Sequence, residues 1–162
     1  MNYKELSVKL KAKYSAGFNA DDEKSVFFVT PEIWLDFATY IKENPDFAFD
    51  YLMCITSYDK GDSKSFGVAY NLYSLKHRHY IECRVEIDSD TVKVPSVTSL
   101  WKAADWHERE AYDMMGIDFE GHPDLKRILL PHDWEGYPLR KDYKEAEYYH
   151  GLPIPKDKTY WE

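Results

Sequence analysis

A dense group of ionisable side chains in the sequence is Glu108-Arg109-Glu110, followed closely by Asp113. Paired carboxylates can carry general acid–base chemistry when one holds a proton and its neighbour does not. The spacing here argues against that use. On a helix, residues two apart project in different directions, so Glu108 and Glu110 do not converge on one substrate. Asp105 and Arg109 stand at i and i+4, the spacing of an ion pair along a helix flank. The histidines, His77, His79, His107, His122, His132 and His150, form no H-E-x-x-H or Cys/His set, so a zinc centre has no local support. His122-Pro123-Asp124 reads as a turn, with proline fixing φ and aspartate bonding nearby amides. Cys54 and Cys83 lie far apart in apolar alternating runs and fit no redox or metal spacing. No glycine-rich nucleotide loop and no G-x-S-x-G nucleophile turn occurs. A free-standing hydrolase using Glu108 or His122 would lack convergent partners. The expectation is therefore no catalytic, cofactor-binding or metal-binding residue in this chain.

Glu108 matters for another reason. The pattern predicts a helix from about Val97 to Met115, capped by Ser96 or Thr98, with an apolar stripe of Val97, Leu100, Ala104, Ala111 and Met115. Glu108 falls in the middle of that stripe. A carboxylate there costs several kcal/mol unless paired or hydrogen-bonded, which predicts a structural ion-pair node. Trp106, Ala103 and Met114 lie on the far side, so this helix is apolar in two directions. A surface helix of a lone domain has one apolar face, so this one reads as sandwiched between its own core and something else.

The elements that position this helix come first in the chain. Tyr3, Leu6, Leu10 and Tyr14 form the stripe of a helix over 2–14. A short strand over 25–29 precedes Thr30-Pro31, an N-cap with proline at the first helical position. Trp34, Phe37, Ala38 and Ile41 line that second helix, and Pro45 stops it. Strands follow from Phe47 to Tyr58 and from Phe66 to Leu75, joined by a turn at Lys60-Gly61-Asp62-Ser63. His79 to Ile87 alternates, with Tyr80, Glu82, Arg84 and Glu86 on the wetter face. This order predicts an α+β fold, a mainly antiparallel sheet packed against helices, over residues 1–130.

Beyond Gly116 the pattern changes. Five of the eight prolines fall between Pro123 and Pro155, and no period of a helix or strand persists. The last 32 residues hold seven aromatics but only Leu139, Leu152 and Ile154 as larger aliphatics. Residues 131–162 are therefore expected to form an extended C-terminal arm packing on partner subunits, the alternative being a tail wrapped on its own domain. A length of 162 residues suits one ordinary domain. The net charge of −8 does not suit phosphate-backbone binding, so nucleic acid is excluded as a partner class. No apolar run is long enough for a membrane span, and the N-terminus lacks a signal-peptide layout, so a cytosol-facing protein is expected.

Two blocks carry the most specific signal. The first runs Glu108-Arg109-Glu110-Ala111-Tyr112-Asp113-Met114-Met115-Gly116-Ile117 and continues to His122-Pro123-Asp124-Leu125-Lys126-Arg127-Ile128-Leu129. The second runs Asp133-Trp134-Glu135-Gly136-Tyr137-Pro138-Leu139-Arg140-Lys141-Asp142-Tyr143. Together they closely resemble the thirty-kilodalton subunit family of the proton-pumping NADH:quinone oxidoreductase, respiratory complex I. The resemblance is strong over about residues 97–145 and extends to residues 1–96 only in element order and length. Lys126 stands where many members carry arginine, and Tyr137 where histidine is common.

The resemblance implies a non-catalytic structural subunit of the peripheral arm. It would hold the large quinone-site subunit, a relative of the hydrogenase large subunit, together with cluster-bearing subunits, so that electrons pass from NADH to quinone. FMN, iron–sulfur clusters, NADH and quinone would belong to other subunits. The interface residues implied are Glu108, Arg109, Glu110, Asp113, His122, Pro123, Asp124 and Arg127, with Trp134, Glu135, Gly136, Pro138, Leu139, Arg140, Lys141 and Asp142. Arg140-Lys141-Asp142 reads as a charged clamp. The short, unfused form implies a bacterial or plastid-type complex, and peripheral attachment at the cytoplasmic face of the cell membrane through the complex alone. The alternative is the equivalent subunit of a membrane-bound nickel–iron hydrogenase or of a ferredoxin- or deazaflavin-dependent relative, which shares both blocks.

Overall fold

The computed structural model describes residues 3–61, 65–88 and 92–154. Helix α1 (Tyr3–Lys13) buries Leu6 and Leu10, and Tyr3 stacks on Phe27 with ring centroids 4.7 Å apart. Strands β1 (Phe18–Asp21) and β2 (Val26–Val29) form a small antiparallel hairpin. β1 is not legible in the sequence, because four residues carrying Asn19 and Asp21 are too few and too polar to show a strand period. Helix α2 (Pro31–Glu43) starts at the expected proline and buries Trp34, Phe37, Ala38 and Ile41. Thr30 occupies the N-cap position in an extended conformation but makes no side-chain cap bond.

Strand β3 is Tyr51–Asp59, β4 is Ser65–Ser74 and β5 is His79–Asp88. β3 begins four residues later than the sequence pattern predicts. Phe47 and Phe49 are alternating and apolar, but both are buried beneath the end of α2. Their amides donate to the Asn44 and Ile41 carbonyls, a helix-end turn that passes through Ala48 at φ 46°. The expected turn after β3 falls partly outside the described residues.

The main sheet has the order β1-β2-β5-β4-β3. Three of its pairings are antiparallel, and β2–β5 is parallel. One face packs on the helices and holds Phe27, Val68, Tyr70, Leu72, Ile81, Cys83 and Val85, all fully or almost fully buried. This is the α+β architecture read from the sequence.

Helix α3 is Ala104–Met115, so the expected start at Val97 is corrected. Residues 97–103 instead wind through turns, with the Leu100 and Trp101 amides both donating to the Val97 carbonyl. The Trp101 indole N–H donates to the Phe49 carbonyl at 3.2 Å and ties this segment into the core. Strands β6 (Lys93–Pro95) and β7 (Asp118–Glu120) flank α3 and pair in parallel. A short hairpin, β8 (Tyr148–Tyr149) and β9 (Leu152–Pro153), ends the described chain. The arm's remaining residues, 155–162, lie outside the described residues, and Tyr160 and Trp161 with them.

Candidate functional site

Helix α3 presents its inner stripe of Ala104, Glu108, Ala111 and Met115 to the core, as its spacing dictates. Glu108 is fully buried. The Ser96 hydroxyl donates to one carboxyl oxygen at 2.6 Å and the Val97 amide to the other at 2.8 Å. Ser96 Oγ also lies 2.8 Å from Thr98 Oγ1 and accepts from the Thr98 amide at 3.2 Å. The expected ion-pair node is thus corrected. A hydroxyl and a main-chain amide do that work, and Ser96 serves Glu108 rather than the helix start. Burial pushes the Glu108 carboxyl up to about 7, against the lowering influence of Ser96 and Val97, and the Asp105 charge adds to the rise.

Asp105 and Arg109 do not take each other as their spacing predicts. The Asp105 carboxylate lies 3.2 Å from Nε2 of His122, whose side chain is fully covered. The Asp124 amide donates to Nδ1 of the same ring at 3.0 Å. An acceptor at Nδ1 fixes the proton on Nε2, where it faces Asp105. The His122-Pro123-Asp124 turn therefore hangs on the start of α3. Arg109 reaches the Lys126 carbonyl at 3.2 Å and lies over the Trp106 ring at 5.3 Å.

Asp113 organises the chain beyond the helix. It is fully buried, and its Oδ2 accepts the amides of Ile128, Leu129 and Leu130 at 3.0, 2.7 and 2.9 Å. Arg127 donates to Oδ1 at 2.7 Å, and from its other nitrogen to the carbonyls of Trp134 and Gly136, both at 3.0 Å. Burial alone would push this carboxyl up. The three amides and the Arg127 guanidinium outweigh it and hold Asp113 below the ordinary aspartate range. One carboxylate and one guanidinium thus fix the path of residues 127–136.

The third anchor is Arg140. Helix α3 ends at Gly116, which takes the left-handed conformation at φ 69°. Arg140 Nε donates to the Met115 carbonyl at 2.7 Å, satisfying an acceptor the helix leaves free. Its guanidinium is sandwiched between Phe66 at 4.8 Å and Tyr137 at 4.7 Å. Tyr137 also faces Arg127 at 5.3 Å, so one ring contacts both guanidinium groups. The Leu139 amide donates to the Met114 carbonyl at 3.1 Å, and the Lys141 amide to Asp59 at 2.9 Å. The first part of the arm, through about residue 143, therefore lies on the chain's own α3 and β3. Arg140 clamps this chain itself.

Outward, these anchors leave large apolar side chains among charged ones. Trp106 is 64% exposed, Leu129 60% and Leu139 59%. Between them, His107, Glu110, Met114 and Leu139 face Thr56 and Ser57 of β3 across a slot of about 100 Å³. Pro123, Asp124, Glu135, Lys141 and Asp142 are exposed, and Trp134 and Pro138 are half-buried. Asp133 ties the last hairpin down, accepting from the Tyr149 hydroxyl at 3.0 Å and lying 2.6 Å from His150 Nε2. The structure joins Glu108, Asp113, His122, Arg127 and Arg140 to the two ends and inner side of one helix. It does not bring Glu110, Glu135 or Asp142 to them. Sequence reasoning misses Gly116, Phe66 and Asp59 as parts of the arrangement. A glycine directly after a helical stripe is the one legible signal among these. Among the described residues, no group of three or more His, Cys, Asp or Glu side chains converges to hold a metal ion.

The family model for the respiratory-chain NADH dehydrogenase 30 Kd subunit matches residues 27–149. The C-subunit of NADH-quinone oxidoreductase from Chloroherpeton thalassium is 48% identical over 132 residues, covering 80% of this chain and 55% of that protein. The equivalent protein of Chlorobium phaeobacteroides is 46% identical over 123 residues, covering 75% of this chain and 74% of that one. The chain thus spans little more than half the length of the first of these relatives. Among solved structures, a trypsin-resistant fragment of Nqo5 superposes with a TM-score of 0.62 at 29% identity, covering 77% of this chain and all of that fragment. A chain of the membrane-bound sulfane sulfur reductase, an archaeal respiratory membrane complex, superposes with a TM-score of 0.71 at 23% identity, over 88% of this chain and 86% of that one, and so shares the fold. Most of the side chains that anchor the arm to α3 stand in the two sequence blocks, and the match over residues 27–149 shows that the chain belongs to the family of the 30 Kd subunit of respiratory-chain NADH dehydrogenase.

Proposed function

We propose that this chain is a non-catalytic structural subunit in the peripheral arm of a proton-translocating NADH:quinone oxidoreductase. The α3–arm face is its docking surface for the large quinone-site subunit and the cluster-bearing subunits. The observation that carries this reading is the use made of the motif residues. Asp113, Arg127 and Arg140 hold main-chain groups of residues 115–136, and the surface so braced exposes Trp106, Leu129 and Leu139. Exposed large apolar groups rimmed by charge mark protein interaction surfaces. Electron transfer falls off steeply with distance, so a rigid brace between redox subunits supports turnover without touching an electron. FMN, iron–sulfur clusters, NADH and quinone are assigned to the other subunits. Attachment to the cytoplasmic face of the membrane follows through the complex.

The fold shared with the sulfane sulfur reductase chain keeps the hydrogenase-type and ferredoxin- or deazaflavin-dependent relatives as a second reading, told apart by identifying the large subunit that purifies with this one. The docking face is tested with a Trp106→Glu, Leu139→Asp double variant. Both side chains are exposed, so the free chain should keep its melting temperature within a few degrees. The purified complex should then lose this subunit, with NADH:quinone activity falling at least tenfold. A normal yield of active complex would overturn the docking face.

A further inference from the structure

Helix α3 carries five Asp, Glu and Arg side chains, and four of them are held by the chain itself. Asp105 lies against His122, and Glu108 accepts from Ser96 and Val97. Arg109 reaches the Lys126 carbonyl, and Asp113 takes Arg127 and three main-chain amides. Glu110 is the exception. It is exposed, and its carboxylate makes no ion pair or hydrogen bond among the described residues. The two arginines closest to it in the two sequence blocks are committed elsewhere. Arg109 lies over the Trp106 ring, and Arg140 is bonded to the Met115 carbonyl between Phe66 and Tyr137.

Helical spacing decides where that carboxylate stands. Residues 107, 110, 111 and 114 lie at i, i+3, i+4 and i+7, which is one flank of the helix. That flank faces β3, and Glu110 lines the slot of about 100 Å³ between them. Much of the lining is apolar. Ile55 and Ala111 are buried, and Met114 and Leu139 stand beside them. The Thr56 and Ser57 hydroxyls and the His107 ring complete it. A hydroxyl can turn to donate or accept, whereas a carboxylate only accepts and keeps its charge. The slot therefore has one fixed requirement, a cationic donor. Its volume suits a single side chain rather than a length of peptide.

On the free chain, solvent meets that requirement. A subunit that covered Trp106 and Leu139 would strip the solvent away, and a carboxylate so covered is costly unless a cation pairs with it. We propose that the slot receives an arginine side chain of the subunit that covers the α3–arm face, its guanidinium paired with Glu110. An aliphatic stem suits Met114 and Leu139, and N–H groups beyond the carboxylate pair can serve Thr56 and Ser57. Lysine is more strongly hydrated and lacks the planar fork, so it suits a covered pair less well. The proposal rests on the docking reading of this face and names the chemistry of the partner there.

The test places a photoreactive diazirine amino acid at Leu139, on the rim of the slot, or at exposed Val8 as background, in the assembled enzyme. After irradiation, position 139 should capture, at least tenfold above background, one arginine-containing peptide of a different subunit. Glu110→Arg should lower the yield of this subunit in the purified complex at least tenfold, with the melting temperature of the free chain within a few degrees of wild type. Replacing the captured arginine by glutamate in the same complex should restore the yield to within about threefold. A captured peptide without arginine, a second copy of this chain, an undiminished yield with Glu110→Arg, or no rescue by the reciprocal change would overturn the pairing and leave the docking face standing. Background capture at Leu139 would overturn the pairing as well. If the Trp106→Glu, Leu139→Asp variant also assembled normally, the face itself would fall with it.

Discussion

Glu108 is legible in the sequence as an anomaly, a carboxyl in an apolar stripe, but its partners are not. They come from residues 96 and 97, and only the turns that replace the expected start of the helix bring them there. The raised carboxyl has a definite consequence for stability. Folded Glu108 holds its proton up to about pH 7, whereas the unfolded group releases it near 4.5. The folded state therefore binds the extra proton between these values, and its stability falls as pH rises through that window, by about 3 kcal/mol in all. Glu108→Gln keeps both hydrogen bonds, since its carbonyl can accept from Val97 and its amide can donate to Ser96. Urea midpoints measured at about pH 5 and about pH 7.5 should converge in this variant. A wild-type contribution of the opposite sign would contradict the buried, protonating carboxyl. Glu108→Ala leaves the buried Val97 amide unpaired and opens a cavity, and should cost roughly 2–4 kcal/mol at either pH. Asp113 behaves in the opposite sense. Its carboxyl is held low, so its contribution is present at neutral pH and is lost as pH falls through its folded value. Asp113→Asn removes the charge that Arg127 faces in a buried site and should cost roughly 3–5 kcal/mol, read from denaturant unfolding of the free chain.

At the scale of elements, long periodic segments are legible and short or tertiary-determined ones are not. The stripes of α1 and α2 and the alternation of β5 are local patterns, and the structure follows them. β1, β6 and β7 are three or four residues long and are defined by their pairing partners, which no local period reveals. The row of Tyr51, Tyr73 and Tyr80 across β3, β4 and β5 is another such case. Tyr80 can be placed on the wet face from its own strand, but its alignment with Tyr51 and Tyr73 is a property of register. The end of α3 offers a direct check on how the arm is seated. Gly116 sits at φ 69°, and a Cβ there would lie 2.5 Å from the Tyr137 ring. Gly116→Ala should therefore cost about 1–3 kcal/mol from left-handed strain and displaced packing, lowering the melting temperature by about 5 °C. The same substitution should raise hydrogen exchange at the Leu139 amide, which reports whether the arm has lifted from α3. Unchanged exchange there would show that the arm is seated by other contacts.

At the scale of the molecule, the two sequence blocks are more legible than their geometry. They point to the thirty-kilodalton subunit family, and the matches to known proteins place the chain there. They do not reveal that the arm's first residues fold back to cap α3, because the contact of Arg140 with Met115 joins positions 25 apart in the chain. On the proposed reading the chain is a platform braced by its motif charges, with Trp106, Leu129 and Leu139 exposed. Hydroxyl-radical footprinting of the free chain and of the purified complex tests this most directly, since it reads side-chain exposure residue by residue. In the free chain Trp106, Leu129 and Leu139 should oxidise readily, and in the complex their rates should fall at least tenfold, with Val8 as an exposed reference. Equal oxidation of Trp106 and Leu139 in both states would contradict a docking role for the α3–arm face.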